Sequence, residues 1–600
     1  MSQNRAGMTR ANGGVFFGKK EKPLNTKETL QRLWVYFKEK RVQLIFINLT
    51  VVVQTLLLIM IPFLVGRAVD SLGIDGAINN ILILLVGVHL VNVTISVFQG
   101  WSMARISQQI VKSMRDILFN KLQRLPVSYF DTTAQGELMS RLTNDIDNVS
   151  STISSSLIAL ISGLLTLVGT LVMMLVLSPV LTAAALVIVP LVFLLTKSVA
   201  KKTKELFRLQ QKTLGKLNGM IEESISGVEV VRAFNQEENI LQNFDEMNEV
   251  LKNIGVKAMI FSGFLMPLMN VISNFGFTVV TIFGAIIAIN GYLSVGVIAA
   301  FLTYSRQFSR PLNEIANIFN TLQSAIAGAE RVFQVMDEEE EEADLDDAIS
   351  AGTFNGDVCF KNVSFGYKED NLIIKDFSLS IDAGLTVALV GQTGAGKTTI
   401  ANLLTRFYEI NSGEILIDGT NIKQFTRKSL RENFGMVLQD TYLFHGTIKE
   451  NIRYGRLDAT DDEIINAATR AASHDFIRAL PDGYETMLVE GGNNLSQGQR
   501  QLLAITRAIL ANPSILILDE ATSSIDTRTE LIIGRALLEL MKGRTSFVIA
   551  HRLSTIREAD IIVVIEDGMI KEMGSHEQLL RQKEVYYSMY SSQYVKDNSV

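Results

Sequence analysis

Apolar and polar positions divide this chain of 600 residues into two unlike halves. Six stretches rich in Leu, Ile, Val and Phe and poor in charge occupy the first half: Val42–Gly66, Ile81–Met103, Ser155–Leu177, Leu181–Thr196, Phe261–Asn290 and Leu293–Phe319. A helix needs roughly 20 such residues to cross the hydrocarbon of a bilayer, so six membrane-spanning helices are predicted. Three connections between them are short and nearly free of positive charge. The other two, Ala104–Ser154 and Lys197–Ile260, are long and rich in Lys and Arg. Positive charge concentrates on the cytoplasmic side, which places both long connections and both termini in the cytoplasm of a cell inner (plasma) membrane.

The long connections carry charged helix formers with apolar residues three and four apart, so the spans are expected to continue as helices into the cytosol. Each is interrupted once, at Leu125–Asp131 and at Ser226–Phe234, and these interruptions are the expected contact points with whatever soluble domain follows. Before the first span, Leu30, Leu33, Trp34 and Phe37 recur at helical spacing among Arg and Lys. That pattern suits a helix in the membrane interface or one packed on protein. No cleavable leader is expected, because the first forty residues hold only the short apolar patch Val15–Phe17.

After Gly352 the pattern changes to strands alternating with helices, as an α/β domain requires. The domain plan is therefore residues 1–40 as a cytoplasmic N-terminus with an interfacial helix, 41–330 as an all-α membrane domain, 331–352 as a linker, and 353–600 as an α/β nucleotide-binding domain. The linker includes the acidic run Asp337–Asp347, a block of like charge expected to self-repel and stay solvated.

Composition adds exclusions. A formal charge of −6 gives no reason to expect nucleic acid as a partner. The single cysteine, Cys359, rules out an intrachain disulfide and reads as a small core residue of a strand. Within the sixth span Arg306, Arg310 and Glu314 lie four apart on one face, with Arg306 about 18 Å along the helix. That face either lines a water-filled substrate path or holds an Arg310–Glu314 pair beside an Arg306 that snorkels to the headgroups.

The strongest chemistry lies in Leu385–Val390 followed by Gly391, Gln392, Thr393, Gly394, Ala395, Gly396, Lys397, Thr398 and Thr399: a buried strand, a phosphate-binding loop and the start of a helix. Glycines let backbone N–H groups approach phosphate oxygens, and the helix N-terminus favours their charge. Lys397 is placed to reach the terminal phosphates and Thr398 to ligate Mg²⁺. A second strand, Ser514–Leu518, ends in Asp519 and Glu520. Such a pair can hold Mg²⁺ and polarise an attacking water, since phosphoryl transfer is mainly positioning and charge stabilisation.

Upstream of that pair, Leu495, Ser496, Gln497, Gly498 and Gln499 resemble the signature loop of ATP-binding cassette proteins. The other elements of that family follow in order: Tyr367 as the aromatic that stacks on adenine, Gln439 as the Q-loop glutamine and a Mg²⁺ ligand, Asp526 as the D-loop aspartate and His551 as the switch histidine. Six spans with two long cytoplasmic connections are the arrangement of the family's exporter branch. In that branch the interruptions near Tyr129 and Val231 resemble coupling helices. The resemblance implies an ATPase with ATP and Mg²⁺ at its site and Glu520, His551 and Gln439 in catalysis. It also implies a second half-transporter that clasps two ATPs head to tail with this one, and export of hydrophobic or amphipathic small molecules, multidrug-type or lipid, across a lipid membrane. An ATP-gated regulator or channel is the rival, and an intact Glu520 argues for turnover. Two departures bear on the partner: Gln497 stands where the family has glycine, and Ser524 and Ile525 where it has alanine and leucine. They imply a heterodimer in which Glu520 serves the competent site, or tolerated variation in a homodimer.

Overall fold

The computed structural model describes residues 25–72, 77–186, 188–368, 371–438, 441–519, 526–549 and 553–597. They fall into two compact units. Residues up to Gln123 with Ala134–Glu338 form one, and Arg124–Thr133 with the chain from Glu339 onward form the other.

The described residues of the first unit form helices joined by short turns. Helices Arg41–Asp70, Ala77–Leu122, Ile146–Leu177, Glu237–Ile289 and Val295–Asp337 carry five of the expected spans, and Leu181–Thr196 falls on Pro179–Leu186 and Ile188–Ser226. By length and composition four helices among the described residues suffice to cross a membrane: Arg41–Asp70, Ile78–Leu122, Ile158–Leu177 and Glu237–Ile289. The 53 residues of Glu237–Ile289 measure about 80 Å at 1.5 Å per residue, far more than the ~30 Å hydrocarbon core, so the helix continues well outside it as expected.

Apolar packing among Ile59, Met174, Leu181, Val280, Phe301 and Tyr304 forms the core of the spans, where the Tyr304 hydroxyl donates to the Ile59 carbonyl at 2.5 Å. Lower down, the Arg331 guanidinium forks onto the buried Asp145 carboxylate at 2.9 and 2.5 Å, tying Val295–Asp337 to the π-helical turn Arg141–Asp145. The N-terminal helix Thr26–Lys38 buries Leu33 and Phe37 and leaves Leu30 and Trp34 exposed. Arg32 lies over the Phe333 ring and pairs with Asp337 at 2.5 and 2.7 Å. One face of this helix therefore packs on protein.

The second unit is built on two larger sheets and one two-stranded sheet. Strands β1 (Val358–Phe365), β2 (Ile374–Ile381), β3 (Thr386–Val390), β4 (Ser412–Ile417), β5 (Thr420–Asn421), β6 (Phe434–Val437), β7 (Gly446–Thr447), β8 (Met487–Leu488), β9 (Ile515–Asp519), β10 (Thr545–Ile549), β11 (Ile561–Glu566) and β12 (Met569–Gly574) are present. An antiparallel sheet runs β2-β1-β4-β5, and a six-stranded sheet runs β12-β11-β3-β10-β9-β6 with parallel pairing from β11 to β6. Strand β3 sorts its residues by the two-residue period of a pleated strand. Val387 and Leu389 enter one hydrophobic cluster and Ala388 and Val390 the other, so both faces are covered.

Two expectations are refined. Most of the acidic run is exposed, as expected, but it is not free of partners: the helix runs on to Asp337, Glu341 pairs with Arg431, and Asp344 accepts from Arg427 at 3.0 Å. Fixed guanidinium groups neutralise the repulsion that like charges would otherwise express. Cys359 lies in β1 as read, but half-buried, because the pleat sends Val358 and Phe360 to the core face instead.

Candidate functional site

Parallel pairing decides where the chemistry gathers. In the register Ile549 of β10 faces both Leu389 of β3 and Asp519 of β9. The phosphate loop and Asp519 therefore emerge at one edge of the sheet with a single strand between them, about 10 Å apart at the usual strand spacing. Ligands of open parallel sheets bind outside this carboxyl edge.

The loop turns from β3 into helix Lys397–Leu404, and Gly396 caps that helix at φ +103°. A side chain there is doubly disfavoured, since a Cβ would also stand 2.5 Å from Ile374 Cδ1. Lys397 is 6% exposed, and its Nζ donates to the carbonyls of Gly391 and Gln392 at 2.8 and 3.0 Å, inside its own loop. Burial lowers its pKa and the negative charge of Asp519 partly opposes that, so ammonium and carboxylate sense one another across the loop. Gln392, Thr393, Gly394 and Thr398 are exposed along the loop while Ala395 and Thr399 are buried. The loop thus leaves an exposed polar rim with an ammonium beneath, which suits a polyphosphate.

Tyr367 is 51% exposed, and its hydroxyl lies 3.2 Å from Thr399 Oγ1. Tyr408 supports it edge-on at 5.1 Å. The Tyr408 hydroxyl in turn donates to Asp131 of helix Val127–Thr132, the first of the two expected contact segments, which belongs to the soluble unit. Burial and the Asp131 carboxylate raise the Tyr408 pKa, so its proton stays in place. Glu341 donates its N–H to the Arg124 carbonyl at 2.9 Å and extends the attachment. Tyr408 escaped sequence reasoning, which carried no motif for it. The second segment, Val228–Ala233, belongs to the membrane unit and leaves Val230 and Phe234 exposed.

Ser496 caps helix Gln497–Ala511. Its Oγ accepts from the Gln499 N–H at 3.2 Å, and the Gln499 amide accepts from the Ser496 N–H at 2.9 Å. This reciprocal box makes the signature loop a well-formed helix N-terminus, with Gln497 half-buried at its first position and Gly498 buried. Arg500 Nη1 donates to the Leu495 carbonyl at 2.9 Å and fixes the approach to it. Asp526 caps helix Thr527–Met541 through the Thr529 N–H at 3.0 Å, and these hydrogen bonds hold its carboxyl below its usual pKa. Gln439, Glu520, His551, Ser524, Ile525 and the patch Val15–Phe17 lie outside the described residues, as do the side chains of Arg310 and Glu314.

Comparison with known proteins agrees with both units. The family model for the ABC transporter transmembrane region matches residues 44–312, and a second model, described as ABC transporter, matches 374–523. The ABC transporter ATP-binding protein YfiC of Bacillus subtilis is 49% identical over 581 residues, 96% of each chain. A fatty acid ABC transporter ATP-binding/permease protein of Mycobacterium tuberculosis is 44% identical over 87% of this chain and 83% of its own. An ATP-dependent lipid A-core flippase of Syntrophus aciditrophicus is 37% identical over 90% of both. Among solved structures, a bacterial Atm1-family ABC exporter with ATP bound matches with a TM-score of 0.70 at 30% identity, over 93% of this chain and 98% of that one. A helical membrane region followed by a phosphate loop, an acidic strand end and a capped signature helix, matched over nearly the full length of such relatives, makes this chain an ATP-hydrolysing half-transporter of the ABC exporter family.

Proposed function

We propose that the chain drives export of an amphipathic, lipid-like molecule from the inner (plasma) membrane by alternating access, paired with a second half-transporter. The observation that carries the nucleotide chemistry is the shared sheet edge on which Lys397 and Asp519 sense one another. Residues Gly391–Thr399 cradle the triphosphate, Tyr367 stacks on the base, and Thr398, Gln439 and Asp519 would hold Mg²⁺, which would supply charge neutralisation at the phosphates. Glu520 polarises the attacking water and His551 contacts the terminal phosphate. From the facing chain, the capped N-terminus at Ser496, Gln497, Gly498 and Gln499, together with Asp526, closes over the second ATP. The cycle advances because ATP favours the closed pair over the open one.

The cargo reading narrows the multidrug expectation. Two relatives matched along most of their length are named for a fatty acid and for lipid A-core. For the partner, Gln497, Ser524 and Ile525 support a heterodimer in which Glu520 serves the competent site and this chain's altered signature completes a weaker one. The boundaries near residues 40, 330 and 352 are part of the same proposal, with both termini in the cytoplasm. The test is ATP hydrolysis by the full chain alone and co-expressed with a second ABC half-transporter from the same cell, each with Glu520→Gln. Turnover that needs the partner and is lost with Glu520→Gln supports the pairing. Robust turnover by the chain alone makes it a homodimer.

A further inference from the structure

A charge in the middle of a bilayer is costly unless water or an opposite charge meets it, and one side chain of this chain is in that position. Arg306 lies three turns below the start of helix Val295–Asp337, and its guanidinium sits 5.1 Å over the ring of Phe277, three turns below the end of helix Glu237–Ile289. Both counts give a depth of about 17–18 Å from the outer helix ends, near the middle of a hydrocarbon core of ~30 Å.

The other ring-borne cations sit elsewhere. Arg67 lies over Phe63 within the last turns of the first span. Lys202 lies over Phe261, seven to eight turns below Ile289 and so about 42 Å down, beyond the hydrocarbon. Arg306 is exposed, and among the described residues no carboxylate pairs with it. The Phe277 ring face offers a cation a weak partner and leaves the fork of N–H donors open. The neighbouring turn is rigid, because Tyr304 is fully buried and bonded to Ile59. The guanidinium is therefore held at mid-depth on a stiff helix, with donors suited to bidentate contact with a carboxylate or phosphate.

We infer that Arg306 is the head-group site of the transported molecule, and that this molecule carries a single anionic head, carboxylate or phosphate monoester, on a long apolar tail. The inference rests on the lipid-export reading and names the class of lipid. The ring of Phe277 keeps the guanidinium in place when the site is empty.

The test is equilibrium binding to the full-length chain in phosphatidylcholine nanodiscs, using four probes with one tail: oleate, oleyl phosphate, oleyl alcohol and oleylamine. The wild-type chain is expected to bind the better of the two anions at least about tenfold more tightly than the alcohol, with the amine weakest. Arg306→Gln should abolish that preference while alcohol binding persists, and Arg306→Lys should keep most of it. Comparing oleate with oleyl phosphate identifies the head. Equal wild-type affinity for anion and alcohol, tighter binding of the amine, or an anion preference that survives Arg306→Gln overturns the charge assignment and leaves lipid export standing. Binding of none of the four overturns both. If the variants fail to fold, the wild-type comparison still overturns the proposal whenever anion and alcohol bind equally.

Discussion

Replacing Tyr408 by Phe removes one hydroxyl and keeps the ring edge-on to Tyr367 at 5.1 Å and to Phe365 at 5.7 Å. The lost contact is the hydrogen bond to Asp131, which attaches helix Val127–Thr132 to the nucleotide-binding unit beside the proposed base-stacking ring. A hydrogen bond to a charged group contributes about 1.5–3 kcal/mol when shielded, and Asp131 is exposed, so about 1 kcal/mol is the appropriate magnitude. Local opening of residues 124–133 should then become roughly 5-fold more frequent, read as faster amide hydrogen exchange in peptides covering that segment of the full chain. Asp131→Asn keeps an acceptor and should have a smaller effect, and Tyr408→Phe combined with Asp131→Asn should be no worse than Tyr408→Phe alone. Burial and Asp131 raise the tyrosine pKa above its usual value, so the contribution is complete below about pH 10 and is lost only as pH climbs through the higher folded pKa. Exchange in 124–133 that is unchanged in Tyr408→Phe, or effects of the two substitutions that simply add, would refute this account of the attachment.

Breaking the Arg331–Asp145 fork with Arg331→Met leaves a buried carboxylate unpaired and should cost about 2–3 kcal/mol, below the full value for a buried pair because Arg331 is a third exposed. Faster proteolysis within 135–150 in the variant is the measurement, and unchanged cleavage counts against it. Glu409 is pushed upward by its burial, but Arg406, Lys423 and Arg427 outweigh that and hold its pKa below the usual carboxylate value. The stability it lends is present above the ordinary glutamate pKa and is lost as pH falls through the lower folded value. Anchoring of residues 341–344, followed by hydrogen exchange, should therefore persist at pH 5 and fail only in stronger acid.

Much of the chemistry was legible in the chain itself because it depends on local sequence. A phosphate loop needs glycine where φ is positive, as at Gly396, and a lysine next to it, so the run from Gly391 to Thr399 announces itself. The capping box at Ser496 and Gln499 is likewise a four-residue pattern. Hydrophobic length marked six spans, yet two of them, Leu181–Thr196 and Leu293–Phe319, fall outside the four helices that qualify by length and composition among the described residues. The sixth span carries Arg306, Arg310 and Glu314, which lower its apolar character where the chain places charge at membrane depth.

Long-range pairing was hidden, because contacts between distant segments leave no period to read. Nothing in the acidic run at 337–347 tells that Arg32, Arg427 and Arg431 will meet it from positions tens to hundreds of residues away. Nothing around Leu125–Asp131 tells that its carboxylate will face Tyr408. Like charges repel in an isolated peptide and are neutralised only when a folded surface delivers guanidinium groups at hydrogen-bond distance. The sequence by itself determined the element types, the phosphate loop and the membrane half. The tertiary structure alone decided the strand order that brings Lys397 and Asp519 to one edge, and the contact of Arg306 with the Phe277 ring. Both follow from backbone pairing and helix packing that no local stretch of sequence contains.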